Sequence, residues 1–200
     1  LFRSGYVVAS ASEAGGVVTN GMSYSKRNGE NSNSAVVVSI SPADFGPSPL
    51  DGIAFQRRLE RASYEHGGGG FAAPAQTVGD FLADRPSRGF AGVKPTYRPG
   101  VTPCNLSDFL PGFVTDGIRK ALPAFGRQIR GFDRKDAVLT AVESRTSSCV
   151  RILRGEDLQS PDVCGLFPAG EGAGYAGGIV SAAVDGMRAA EALIGAFSPV

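Results

Sequence analysis

The sequence predicts an α+β chain, on three observations. Strand-length apolar runs and amphipathic helical stretches mix through residues 1–136 without the regular strand–helix–strand rhythm of a parallel α/β fold. Glycine and proline number 28 and 13 of 200 residues, so turns and irregular backbone are expected to be common. The last third changes character and reads strand, turn, strand, loop, strand, glycine loop, helix. These two regimes divide the chain into regions 1–136 and 137–200.

The elements follow in order. GYVVA (5–9) and GGVVT (15–19) are β-branched runs around the polar turn ASEA, and both are expected to be strands. Residues 20–34 are polar. AVVVSI (35–40) is a continuous apolar run and is expected to be a buried strand. IAFQRRLERASYE (53–65) sets Ile53, Phe55, Leu59 and Ala62 on one face against Arg and Glu on the other, an amphipathic helix. His66 and four glycines end it; the imidazole suits the last carbonyls of the helix, and the glycines allow a sharp exit. A short helix is expected near Gln76–Ala83. An extended, proline-punctuated stretch follows, VKPTYRPGVTPCNL, then a turn that Ser107 could cap. Phe113–Leu122 is expected to be helical, with Arg119 and Lys120 suiting its C-terminal dipole and Pro123 ending or bending it. AVLTAV (137–142), VRIL (150–153) and GLF (165–167) complete the expected strands, and a helix runs from about Ala176.

Composition excludes several functions. Lys plus Arg total 20 and Asp plus Glu total 19, a balance that offers no general electrostatic grip on nucleic acid or an anionic membrane. Cys104, Cys149 and Cys164 are odd in number and widely spaced, with no CxxC, so reduced thiols in a cytoplasmic protein are expected. One histidine, scattered cysteines and no acid cluster argue against a metal site; a catalytic triad would need His66, which sits at a helix end, and no GxSxG is present. No signal peptide or membrane span is visible. The opening LFRSGYVVAS enters strand-like sequence at once, as a cut inside a larger protein would.

The chemistry concentrates in Gly165–Gly195, GLFPAGEGAGYAGGIVSAAVDGMRAAEALIG. Six glycines fall between Gly165 and Gly178, with Glu171 among them. A helix N-terminus carries unpaired N–H groups and about half a positive charge, a seat for a phosphate, a carboxylate or a polarised carbonyl. Glycines ahead of it let a ligand approach bare backbone. GAGYAG (172–177) matches GxGxxG by letter but lacks the usual setting of that motif, a helix leading to a second strand that ends in an acid, and GxxxxGK[ST] is absent, so the loop points only to a ligand at a helix N-terminus; tight helix–sheet packing is the alternative.

The block AVLTAVESRTSSCVRIL together with GLFPAGEGAGYAGGIVSAAVDG resembles the C-terminal end of a bacterial group of predicted FAD-dependent dehydrogenases with a glutathione-reductase-like fold. GGVVTNGMSY, NGENSNSAVVVS, APAQTVGDFL and VKPTYRPGV resemble the same group, so the similarity spans nearly the whole chain. It implies an inserted substrate-side α+β domain (1–136) and the C-terminal segment of an FAD-binding domain (137–200). By position, Gly170 and Glu171 would meet the ribityl or pyrophosphate region of FAD. Gly172 and Tyr175 belong to the same loop, and Gly177, Gly178 and Ile179 would face the pyrimidine edge of the flavin. Arg145, Thr146 and Ser148 would lie near the flavin or its substrate, with Arg145 as an anion grip or, alternatively, a solvated arginine of a surface turn. Cys149 stands where the group has proline. Lys94, Tyr97 and Asn20 could touch substrate; Lys94 and Tyr97 could instead pin an extended loop, and Asn20, with Asn31 and Asn33, could serve only turns.

The class opens on a strand–GxGxxG–helix unit followed by a second strand and its acid, and no such complete unit occurs in the 200 residues; GAGYAG (172–177) matches only by letter within the C-terminal loop, and the runs at Gly15–Gly16 and Gly67–Gly70 do not fit it. The resemblance therefore implies a flavin-dependent oxidoreductase in which this piece lines the flavin and a small-molecule substrate, and which binds FAD poorly or not at all alone. A non-catalytic ligand- or partner-binding domain is the alternative, and another nucleotide-binding enzyme is a third. Without the rest of the FAD domain, the apolar face of the 176–195 helix would be exposed, and self-association is expected.

Overall fold

β-Branched residues near the start form a short ladder. In the computed structural model, which describes residues 4–198, Tyr6–Ala9 (β1) and Thr19–Met22 (β2) pair antiparallel, with Tyr6 opposite Met22 and Ala9 opposite Thr19. The second strand falls later than 15–19. Val17 and Val18 are instead almost fully buried, and their backbone bonds elsewhere: Val17 N–H donates to Glu60 O (3.0 Å), while Ser10 N–H donates to Val18 O (2.9 Å).

Pro42–Phe45 (α1) is a single turn, and Asp51–His66 (α2) contains the expected amphipathic helix. Phe55 and Leu59 are buried from α2, and so are Glu60 and Ser63. Its exit uses the glycines, since Gly67 N–H donates to Ser63 O and Gly69 N–H to Tyr64 O. The His66 ring lies 2.9 Å, through Nδ1, from Ala62 O and stacks on Phe109 at 4.7 Å.

Ala73–Thr77 (β3) is the middle of a three-stranded sheet, parallel to Val101–Pro103 (β4) and antiparallel to Val138–Thr140 (β5). Neither β3 nor β4 is expected from sequence, because both carry proline, which a central strand rarely tolerates. Pro74 fits because the ladder asks only its carbonyl, which accepts from Ala141 N–H at 3.0 Å. The helix expected near 76–83 is shortened to Val78–Leu82 (α3). Thr77 caps it, its Oγ1 accepting from Asp80 N–H at 3.2 Å. The Ser87 hydroxyl, then Arg85 and Thr77, hold the Asp80 carboxyl below its ordinary pKa.

Leu106–Asp108 is a 3₁₀ turn capped by Asn105 rather than Ser107. Gly112–Gln128 (α4) runs through Pro123 instead of ending there. The missing N–H and the ring clash are local costs, and burial beyond the proline offsets them: Leu122 is 1% exposed, and Phe125 meets Phe132 edge-on at 5.4 Å. Gln76, also fully buried, ties the turn to β3 through Leu106 N–H, Arg85 O and Asn105 Oδ1. Val78, Phe81, Leu106, Leu122 and Ala141 form one core; Val17, Ala73 and Tyr97 form a second.

Three expected strands do not form. Residues 35–40 belong to no strand; Val36 packs against the first core and Val38 lies near Gly117, while Val37 is 65% exposed. Residues 150–153 and 165–167 are irregular, and Ile152, Leu153 and Leu166 are exposed. Alternating apolar residues make a strand only where a neighbour completes the ladder. The last helix is Ile179–Phe197 (α5).

The chain divides into two compact units. One holds the residues up to Ser41 and Phe55–Ser144, with the five strands found among the described residues. The other holds Pro42–Ala54 and the residues from Arg145 onward, including α5. β5 therefore groups with the first unit, although sequence placed residues 137–144 with the C-terminal region. Taken together, helices and small mixed sheets make an α+β fold. No helix among the described residues is long and apolar enough to cross a membrane.

Candidate functional site

The glycine loop is a closed turn tied to α5 by charge. Gly174 N–H donates to Glu171 O (2.9 Å) and Tyr175 N–H to Gly170 O (3.0 Å). Gly170 and Gly174 take left-handed φ values of +72° and +84°, a conformation that disfavours side chains. Gly170 N–H donates to Asp185 Oδ2 at 2.8 Å, one helical turn and a half into α5. Arg154 donates to both Asp185 oxygens (3.0 and 2.6 Å) and to Pro168 O (2.7 Å). The side chains of this pair are only 10% and 11% exposed. The Arg154 hydrogen bonds, and after them the Gly170 N–H, hold the Asp185 carboxyl down to about 2.

Residues 148–154 run along the loop. Ser148 Oγ lies 2.8 Å from Val150 O and 3.2 Å from Gly172 O, and Ile152 N–H donates to Ala173 O at 3.1 Å. Arg151 Nε donates to Gly174 O at 3.1 Å. The Tyr175 ring sits under two guanidinium groups, Arg154 at 3.6 Å and Arg151 at 5.0 Å from its centroid, and its hydroxyl donates to Ile152 O. Such stacking fixes the ring while leaving cationic charge at the loop.

Beside this framework lies an open depression of about 360 Å³, lined by Ser147, Ser148, Arg151, Gly174, Tyr175, Ala176 and Gly177. α5 starts next to it with Gly178 as N-cap, in extended conformation (φ −159°, ψ 164°). Glycine has no side chain with which to accept from the first-turn amides. Ser181 Oγ accepts instead from Gly178 N–H, at 3.1 Å. A Cβ added at Gly172 or Gly177 would meet nothing within 4 Å, so bare backbone here faces open space. Hydroxyls, one arginine and uncapped amides suit an anionic or carbonyl-bearing edge. About 360 Å³ is at the small end of ligand-sized cavities.

The structure brings together Ser148, Tyr175 and Gly177, with Gly170, Gly172, Gly178 and Ile179 in the same loop and helix start. Glu171 is exposed at the turn, and no strand precedes it. Arg145 and Thr146 are exposed and do not line the depression. The remaining candidates lie in the first unit. Tyr97 is 4% exposed, in the second core, and donates to Phe71 O (3.2 Å). Lys94 is exposed, and its carbonyl accepts from Asn31 Nδ2 at 2.9 Å. Asn20 pairs with Val8 inside the β1–β2 ladder. Asn33 Nδ2 donates to Tyr6 O at 3.1 Å.

Sequence reasoning missed Arg151, Arg154 and Asp185. A signal was present. Asp185 is the one acid on the small-residue face that Ala182 and Ala189 mark at helical spacing, and a buried acid requires a partner. Among the described residues no cluster of His, Cys, Asp or Glu could hold a metal. The three cysteines are free thiols; burial pushes Cys104 up to about 11, whereas Cys164 is exposed.

Gly174→Ala tests the loop directly. Its Cβ would lie 2.5 Å from Val150 O and 3.0 Å from Arg151 Cα, both backbone atoms, on top of the left-handed φ. A loss of about 2 kcal/mol or more is expected in urea unfolding. A change below 0.5 kcal/mol would mean that the loop does not lie against residues 150–151.

A family model described as "FAD-dependent protein, C-terminal domain-like" matches residues 3–146, more than half of the chain. An uncharacterized protein of Clostridium beijerinckii is 50% identical over 194 residues, covering 96% of this chain and 36% of the relative. The chain thus spans about a third of that relative's length. The family match ends before the glycine loop, which only the second similarity includes.

Proposed function

The chain belongs to the FAD-dependent protein, C-terminal domain-like family, and on that premise we propose that it supplies the flavin-facing edge and a substrate-side wall of a flavin-dependent oxidoreductase. The observation that carries this reading is the uncapped start of α5 beside an open depression. Gly177 presents bare backbone there, Gly178 brings no side chain to the helix start, and Arg151 adds a cation nearby. Bound FAD would supply the capacity to accept or donate a hydride at its ring. The amides of Gly177 and Ile179, at the positive end of α5, would stabilise negative charge on the ring edge turned towards them, while Gly178 N–H stays with Ser181 Oγ. Ser148 and Arg151 would orient that edge, and Arg154 and Asp185 would hold the loop in place through Gly170. Glu171, at the exposed turn, is available to ligand hydroxyls.

The reading makes this chain one part of a site. The chain's GxGxxG by letter, GAGYAG at 172–177, follows no strand among the described residues and so lacks the strand–loop–helix frame that holds adenosine and pyrophosphate. Gel filtration followed by absorption at ~450 nm, where oxidised flavin absorbs, tests the proposal. The full-length Clostridium beijerinckii relative is expected to keep a stoichiometric band, and the 200-residue chain mixed with FAD to lose it. A relative without flavin, or a chain that retains one flavin per molecule, would overturn the proposal.

A further inference from the structure

α5 is built inside out. Its inward residues are Asp185 and Ala189, while its large apolar side chains point away: Ile179 is 92% exposed, Val180 76%, Met187 64%, and Ile194 and Phe197 61% each. At about 100° per residue these five fall within an arc of about 100°, the width of a core-facing stripe. The buried face is instead committed to the Arg154–Asp185 pair and small alanines. A stripe of this length is the mark of a contact surface, not of a helix facing water.

We propose that this stripe docks against the polypeptide lying outside the 200 residues, in a longer chain of the kind represented by the Clostridium beijerinckii relative. Two arguments select that occupant. The alignment covers 96% of this chain but 36% of the relative, so about two thirds of the relative is available to cover α5. The stripe also begins at Ile179, immediately after Gly177 and Gly178, so whatever completes the ligand site at that end of α5 must approach the same surface. The second argument rests on the proposed flavin reading; the first does not.

The chain has two methionines, which make the test quantitative. Peroxide oxidises exposed methionine to the sulfoxide, and mass spectrometry reads each site. In the 200-residue chain, Met187 (64% exposed) should oxidise within about twofold of Met22 (54% exposed). When the relative's unaligned residues are joined to this chain in their native order, Met187 should oxidise about tenfold more slowly, with FAD absent, and Ile194→Glu should restore the faster rate. A second measurement needs no joined protein. In the full-length relative, amides of the segment aligned with α5 should exchange about tenfold more slowly than in its 194-residue aligned segment alone. Equal rates in both comparisons would overturn the proposal. So would protection already present in the 200-residue chain that grows with concentration alongside a dimer, which would make a second copy the occupant. Protection that appears only with lipid vesicles would overturn it in favour of a membrane. Loss of the flavin band with Met187 still protected would sink the flavin reading and leave this one standing.

Discussion

Asp185→Ala is expected to destabilise the chain by about 3–5 kcal/mol, because it strands the Arg154 guanidinium at a nearly dry position. The carboxylate also accepts from Gly170 N–H, so the substitution removes the anchor between the glycine loop and α5. Arg154→Ala should cost about as much from the other side, and the double variant less than the sum of the two. A pH scan separates charge from shape. The carboxyl is held at about 2 when folded, below its ordinary value. Its contribution is therefore fully present above about pH 4 and disappears as pH falls from there through about 2, a difference on the order of 2 kcal/mol. Asp185→Asn should flatten that acid limb while keeping the side chain's size. Urea unfolding at pH 7 and melting curves between pH 2 and pH 7 read both effects. A cost below 1 kcal/mol for Asp185→Ala would mean that the pair is solvated and does not position the loop.

The helices were legible in the sequence because their signals are local. The period of Phe55 and Leu59, the glycines after His66 and the apolar spacing of Phe113, Ile118 and Leu122 each place a helix without reference to distant residues. Strands were harder, since a ladder needs a partner that the sequence does not mark. AVVVSI has every strand propensity and no neighbour, whereas APAQT carries a proline and sits between two strands. The site shows the same division. The glycine loop and its helix stand out by composition, and Ser148, Tyr175 and Gly177 meet at the depression. The charges that hold the loop did not stand out, because Arg154 and Asp185 are separated by the whole loop and look like ordinary surface residues. The orientation of α5 was equally hidden: its period is visible, but which stripe turns inward depends on where Asp185 finds its partner.

Phe81→Ala is expected to cost about 3–5 kcal/mol, the range for emptying a buried aromatic site. The ring is 0% exposed and packs in the core with Val78, Leu106, Leu122 and Ala141, which come from α3, the 3₁₀ turn, α4 and the chain after β5. Few of these neighbours can collapse into the gap. Val78 follows the Thr77 cap, Leu106 is fixed by its N–H to Gln76 Oε1, and Ala141 by its N–H to Pro74 O. Arg119 adds a second consequence. Its guanidinium carbon lies 5.2 Å from the ring centroid while Nη2 donates to Ser107 Oγ and Asp84 Oδ1, so losing the ring loosens a cation held over α3. Phe81→Leu keeps most of the volume and should cost about 1–1.5 kcal/mol. Comparing Phe81→Ala in the wild-type and Arg119→Ala backgrounds isolates the cation–ring contact, expected at about 0.5–1 kcal/mol for a partly exposed arginine. Equal costs for the alanine and leucine variants would show that ring volume does not hold this core, and the closure of α3 and α4 over the sheet would then need another cause.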